Sequence, residues 1–149
     1  MYQVVIIGHG NYPQGVLSAI QLLVGTTEKI KIFNLDSNTT HEIFSKKIKQ
    51  YIDENEHLII FADMTGGAPY QIVAEYVLET KKSKCYIVSS CSLNLILDLY
   101  VKILEGQIND QNVQKTLENK IIESQKMTRL LPHKSEVQQS KRDLPKEGI

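Results

Sequence analysis

Apolar and polar positions along this chain follow two alternating periods. Short runs rich in β-branched residues at 2–7, 30–35, 57–62 and 84–89 predict four strands. Helical spacing fills the intervals. Residues 15–24 read as a helix ending near Gly25, and Ser37, Asn38, Thr39 and Thr40 supply cap candidates for a second. That second helix runs to about Glu54, with Ile43, Phe44, Ile48, Tyr51 and Ile52 on one face. Pro69 stands where the first turn of a third helix accepts a residue without an N–H, and the helix continues to about Thr80. Residues 93–104 and 110–127 predict two more.

Leu58, Ile59, Ile60 and Phe61 are consecutive and apolar, as expected of a strand covered on both faces. Strands separated by single helices predict an α/β fold: an open, mainly parallel four-stranded sheet with helices on both faces. Near Pro132 the composition turns polar. Residues 1–131 are therefore expected to form the domain, and residues 132–149 a C-terminal tail or arm.

Composition narrows the function classes. A chain of 149 residues suits one domain with a sizeable core. The 17 basic and 17 acidic residues cancel, which argues against a general nucleic-acid binder. No apolar run approaches the roughly 20 residues that span a bilayer. Met1 leads directly into a strand-like run without a leader pattern, so a cytoplasmic location is expected. Cys85 and Cys91 fit no common zinc spacing and read as free thiols.

The candidate chemistry lies at two predicted strand ends. Val4, Val5, Ile6 and Ile7 run into Gly8-His9-Gly10, placing an imidazole between glycines where open α/β sheets gather ligands. A neutral imidazole serves as a nucleophile or proton carrier near physiological pH. The alternative is a structural histidine with satisfied hydrogen bonds. After the third strand comes Asp63-Met64-Thr65-Gly66-Gly67-Ala68-Pro69. In a parallel sheet this loop opens on the same edge, so Asp63 and His9 are placed to meet. A carboxylate there fixes the ring's tautomer and stabilises a positive ring. Thr65, Gly66 and Gly67 lead into a helix N-terminus, which favours an anion such as a phosphoryl group. The alternatives are a plain turn for the glycines and a helix-entry cap for Asp63. Neither the P-loop nor the dinucleotide glycine pattern occurs, and no cofactor or metal is expected. His41, His57 and His133 are not expected to do chemistry.

These two stretches, Val5-Ile6-Ile7-Gly8-His9-Gly10-Asn11 with Gly15 and Leu17-Ser18-Ala19, and Ala62 to Tyr70, resemble the enzyme IIA component of the mannose-type sugar phosphotransferase system. The resemblance spans roughly residues 1–130 and implies a phosphotransferase that works as a phosphohistidine carrier in sugar uptake. His9 would take a phosphoryl group from phospho-HPr and pass it to enzyme IIB. Asp63 would hydrogen-bond the ring, and Gly10, Asn11, Thr65, Gly66 and Gly67 would bind the phosphoryl group. The membrane components IIC and IID would be served indirectly. The family also implies a homodimer with a C-terminal strand crossing between subunits. Gln71 departs from the asparagine usual after the aromatic residue, and residues 89–94 read Ser-Ser-Cys-Ser-Leu-Asn where a Gly-x-Asn-Leu-Pro type is usual. Two other readings stand beside the carrier: a phosphorylation-sensing regulatory module, and the phosphoryl donor to dihydroxyacetone kinase on the same fold. A third is an α/β domain in which His9 only hydrogen-bonds a small ligand.

Overall fold

The structure, a computed structural model, describes residues 1–132. The tail or swapped arm expected beyond that point lies outside the described residues. Four strands and five helices alternate: β1 (Gln3–His9), α1 (Tyr12–Val24), β2 (Ile30–Leu35), α2 (His41–Glu54), β3 (Leu58–Ala62), α3 (Ala68–Glu79), β4 (Cys85–Ser89), α4 (Leu93–Leu104) and α5 (Val113–Gln125). All strand pairs are parallel, in the order β2-β1-β3-β4.

The period-two alternation of the strands divides the core in two. Tyr2, Val4, Ile6, Ile59, Phe61 and Val88 face one layer, closed by Ile20 of α1, by Leu95, Ile96, Leu99, Tyr100 and Ile103 of α4, and by Val113 and Leu117 of α5. Val5, Ile7, Leu58, Ile60, Ala62 and Cys85 face the other, closed by Phe44, Ile48 and Ile52 of α2 and by Val73 and Val77 of α3. Both central strands are thus buried on both sides, which is why their sequences are continuously apolar.

Several element ends differ from the sequence expectation. α1 begins at Tyr12, not Gly15, because Pro13 fits the first turn and Gly15 already donates its N–H to the Asn11 carbonyl at 2.9 Å. α5 begins at Val113 because Asn109 folds back on the chain ahead of it: its Oδ1 accepts from the N–H groups of Gln111 (2.9 Å) and Asn112 (3.0 Å). α2 carries an expected hydroxyl cap, Thr40 Oγ1 accepting from Ile43 N–H at 3.3 Å, and α4 has one as well, Ser92 Oγ accepting from Leu95 N–H at 3.2 Å.

The strand order has one functional consequence. From β1 the chain first moves outward to β2, then returns across β1 to β3 and β4. The carboxyl ends of β1 and β3 therefore flank the point where the winding reverses, and the loops leaving them diverge to open a crevice.

Candidate active site

His9 ends β1, and Asp63 follows β3 directly, one on each side of that crevice. The two strands are neighbours in register, Ile7 opposite Ala62, so the residues beyond them meet. Asp63 Oδ2 lies 2.7 Å from His9 Nδ1 and also accepts the His9 backbone N–H at 2.9 Å. Asp63 Oδ1 accepts the Met64 N–H at 2.8 Å. Burial of Asp63 favours its neutral form, but the backbone N–H and ring of His9 together with the Met64 N–H outweigh it and hold the carboxyl below its ordinary 3.8. An ionised carboxylate only accepts hydrogen bonds, so Nδ1 carries the ring proton. Nε2 is left with its lone pair. The His9 side chain is 46% exposed against 12% for Asp63, so the pair presents the imidazole outward and keeps the carboxylate behind it.

Close approach explains two of the glycines. A Cβ on Gly67 would stand 2.8 Å from His9 Cε1 and 2.9 Å from Met64 Cγ. The start of α3 therefore touches the ring at Cε1, the carbon between its two nitrogens. At Gly8 a Cβ would fall 2.8 Å from Tyr12 Cδ1 and 3.1 Å from Asp63 Cβ. The space that Gly8 gives is thus filled by protein, and not left for a ligand as its place in the motif suggested.

The expected anion-binding residues contribute unequally. Gly10 has φ +57° and gives its N–H to the Leu35 carbonyl at 2.8 Å, so its role is to turn the chain, not to donate. Asn11 is exposed and precedes α1 without a side-chain cap bond. Thr65 donates its N–H to Ser90 Oγ at 3.0 Å, and its Oγ1 lies 2.7 Å from Ser89 Oγ and 2.9 Å from Ser90 Oγ. Gly67 is the N-cap of α3 and supplies no side-chain bond. Among the described residues, the N–H groups of Gly66, Ala68 and Tyr70 have no hydrogen-bond acceptor. These donors, with the positive end of the α3 dipole, form the anion-favouring surface beside the ring.

Tyr12 escaped the sequence reading, and Ser89 and Ser90 entered it only as part of the loop that departs from the family pattern. Tyr12 walls the site between Gly8 and Asp63, its hydroxyl pushed up to about 12 by burial first, then by Cys91 and Asp63. Ser89 and Ser90 reach across from the end of β4, a contact foreshadowed only by the run of small hydroxyl residues there. His57 lies among residues at the opposite end of the strands, where its Nε2 is 3.2 Å from Asp110. Among the described residues no group of His, Cys, Asp and Glu is placed to hold a metal, and no helix is long and apolar enough to cross a membrane.

Comparison with known proteins places the fold and the family. The family model described as the fructose IIA component of the phosphotransferase system matches residues 3–117. Phosphotransferase component EIIA from Streptococcus agalactiae superposes with a TM-score of 0.70 at 22% identity, over 83% of this chain and 92% of its own. The IIA protein associated with the fucose utilization operon of Streptococcus pneumoniae gives 0.73 at 21% identity, over 87% and 93%. The mannose/sorbose-specific IIA subunit from Enterococcus faecalis gives 0.67 at 17% identity, over 88% and 96%. At these identities the structures speak for the fold, and the family match carries the kinship.

Proposed function

This chain belongs to the mannose-type IIA family of sugar phosphotransferase systems, and from that premise we propose that it is a phosphocarrier whose acceptor atom is Nε2 of His9. The observation that carries the reading is the 2.7 Å bond between His9 Nδ1 and the ionised Asp63 carboxylate. It directs the ring proton to Nδ1 and leaves Nε2 as an exposed nucleophile beside the N-terminus of α3.

The donor is phospho-HPr. The Nε2 lone pair attacks the phosphorus, an N–P bond forms on His9, and the N–P bond to the donor's histidine breaks. As the bond forms the imidazole gains positive charge, which the Asp63 carboxylate offsets through Nδ1–H. The transferring group is a loose anion, so positioning and charge stabilisation are the main requirements. The unpaired N–H groups of Gly66, Ala68 and Tyr70, at the end of α3 that meets the ring, are the donors for that need. The same steps in reverse deliver the group to a histidine of enzyme IIB. A ring 46% exposed suits a donor and an acceptor that are both side chains of other proteins. The sugar itself never has to reach this site.

Asp63 is retained despite its like charge to the phosphoryl group because it sits behind the ring. Its contact is with Nδ1, on the side away from the reacting nitrogen. In the family's dimer, two such sites would work side by side. Residues 1–131 would carry the site, and the segment from 132 would serve the subunit exchange.

The test is intact-mass analysis after incubation with phosphoenolpyruvate, enzyme I and HPr, with His9→Ala and Asp63→Ala in parallel. One acid-labile phosphoryl group on the wild type, absent in His9→Ala and slowed in Asp63→Ala, is expected. A folded wild type that gains no mass refutes the carrier and favours the ligand-binding domain. Labelling without onward transfer to enzyme IIB favours the phosphorylation-sensing module.

A further inference from the structure

Ser90 follows β4 with φ +53°, a left-handed conformation that any residue with a Cβ adopts at a cost. It is exposed, so packing does not impose the conformation. Hydrogen bonding does: Ser90 Oγ accepts the Thr65 N–H at 3.0 Å and lies 2.9 Å from Thr65 Oγ1. Glycine would adopt this φ freely but would offer Thr65 no acceptor.

The loop that Ser90 grips is the one that shapes the His9 site. Its start is fixed by Asp63 on the ring's Nδ1, and its end is fixed where Gly67 meets Cε1. Between those points, the hydrogen bonds of Thr65 run only to Ser89 and Ser90 among the described residues. The hydroxyl count matters as well. Thr65, Ser89 and Ser90 bring three O–H protons to two O···O contacts, so one O–H stays free to donate outward.

We propose that Ser90 is a positioning residue for phosphoryl transfer at His9, acting through Thr65. It holds the middle of the loop at a fixed place beside the ring. It also keeps the hydroxyl cluster assembled so that its spare O–H is available to an oxygen of the incoming phosphoryl group. The inference rests on the carrier reading above.

Single-turnover phosphorylation at increasing phospho-HPr concentration tests it, on the wild type, Ser90→Gly and Ser90→Asn. Ser90→Gly relieves the left-handed strain, so its melting temperature should equal or exceed that of the wild type. Its rate at saturating donor should nevertheless fall about five- to tenfold, the scale of one lost hydrogen bond, with half-saturation within about twofold. Asn tolerates the left-handed region and carries an acceptor oxygen, so Ser90→Asn should recover part of the rate. A role only in folding would lower the melting temperature and leave the rate at saturation unchanged, and a role only in docking would move half-saturation. A Ser90→Gly rate at saturation within twofold of the wild type overturns the assignment while His9 labelling still stands. A wild type that takes no phosphoryl group overturns the carrier reading and this inference together.

Discussion

Replacing Asp63 with Asn removes the charge behind the ring with almost no change of shape, and the structure dictates what must follow. Asp63 receives three donors, the His9 N–H and Nδ1–H on Oδ2 and the Met64 N–H on Oδ1. An amide has one acceptor oxygen and one donor nitrogen. If its oxygen takes the Oδ2 place, the NH₂ confronts the Met64 N–H. If it flips, the NH₂ confronts both His9 donors, and the ring relieves the clash only by moving its proton to Nε2. That proton occupies the lone pair that the proposed carrier offers to phosphorus. Either orientation also loses the charge that offsets the developing imidazolium. Hydrogen bonds to charged groups contribute about 1.5–3 kcal/mol each, so losing their strengthening in the transition state should cost about 3–5 kcal/mol. The phosphorylation rate should drop about 10²- to 10⁴-fold.

Rapid-quench transfer from phospho-HPr at neutral pH gives the rate, and long-range nitrogen-proton spectra of His9 give the tautomer. The wild type should show the proton on Nδ1, and Asp63→Asn a population with it on Nε2. An Asp63→Asn rate within about tenfold of the wild type would refute the orienting role. Stability supplies a second check with a definite sign. The folded carboxyl lies below its ordinary 3.8, so its stabilisation is complete above that pH and is lost as pH falls through the folded value. The stability difference between wild type and Asp63→Asn should therefore hold at neutral pH and shrink below about pH 4.

Two glycines of the site should fail in opposite ways. Gly67→Ala drives a methyl to 2.8 Å from His9 Cε1, so transfer should slow at least about tenfold while the fold survives by moving Met64. Gly10→Ala meets nothing within 4 Å but must hold φ +57°, so it should cost about 1–2 kcal/mol and lower the melting temperature by about 3–8 °C. Tyr100→Phe deletes a buried hydroxyl that donates to the Glu28 carbonyl at 2.7 Å, and denaturant titration should show a loss of about 1–2 kcal/mol with transfer unaffected. Burial pushes the thiols up to about 11 for Cys85 and about 12 for Cys91, so iodoacetamide at pH 8 should label neither until guanidinium unfolds the chain. Rapid native labelling would contradict the packing around Cys91.

The sheet was legible because its central strands leave no alternative. Leu58 to Ala62 is wholly buried and apolar, and α4 lies at residues 93–104, where the helical spacing put it. Ends were less legible wherever a polar side chain competed with the backbone. Asn109 folded its neighbours into a turn that the period of α5 alone would have counted as helix. The meeting of His9 and Asp63 followed from parallel topology alone. Which nitrogen Asp63 would take did not, because that choice rests on distances of a few tenths of an ångström. The fate of Gly10 was equally hidden, since its N–H is claimed by Leu35 of a strand 25 residues later.

The Ser89–Ser90 contact marks a more general boundary of sequence reasoning. Each hydroxyl taken alone is an ordinary loop residue, and Ser90 in a left-handed conformation contradicts its own preference. Local reading therefore flags such a segment only as a departure from the family pattern and does not tie its hydroxyls to Thr65. Only the register of β3 with β4, Ala62 opposite Ser89, brings the hydroxyls to Thr65 across 24 and 25 residues. The residues proposed to do chemistry here announce themselves by type, as a histidine between glycines and an aspartate before two more. The residue that holds them in place is visible instead as a local cost, in a backbone angle that its neighbours alone would not produce. In a site made of two loops from a parallel sheet, that cost falls on the neighbouring strand's loop, because the strands fix only where the loops begin.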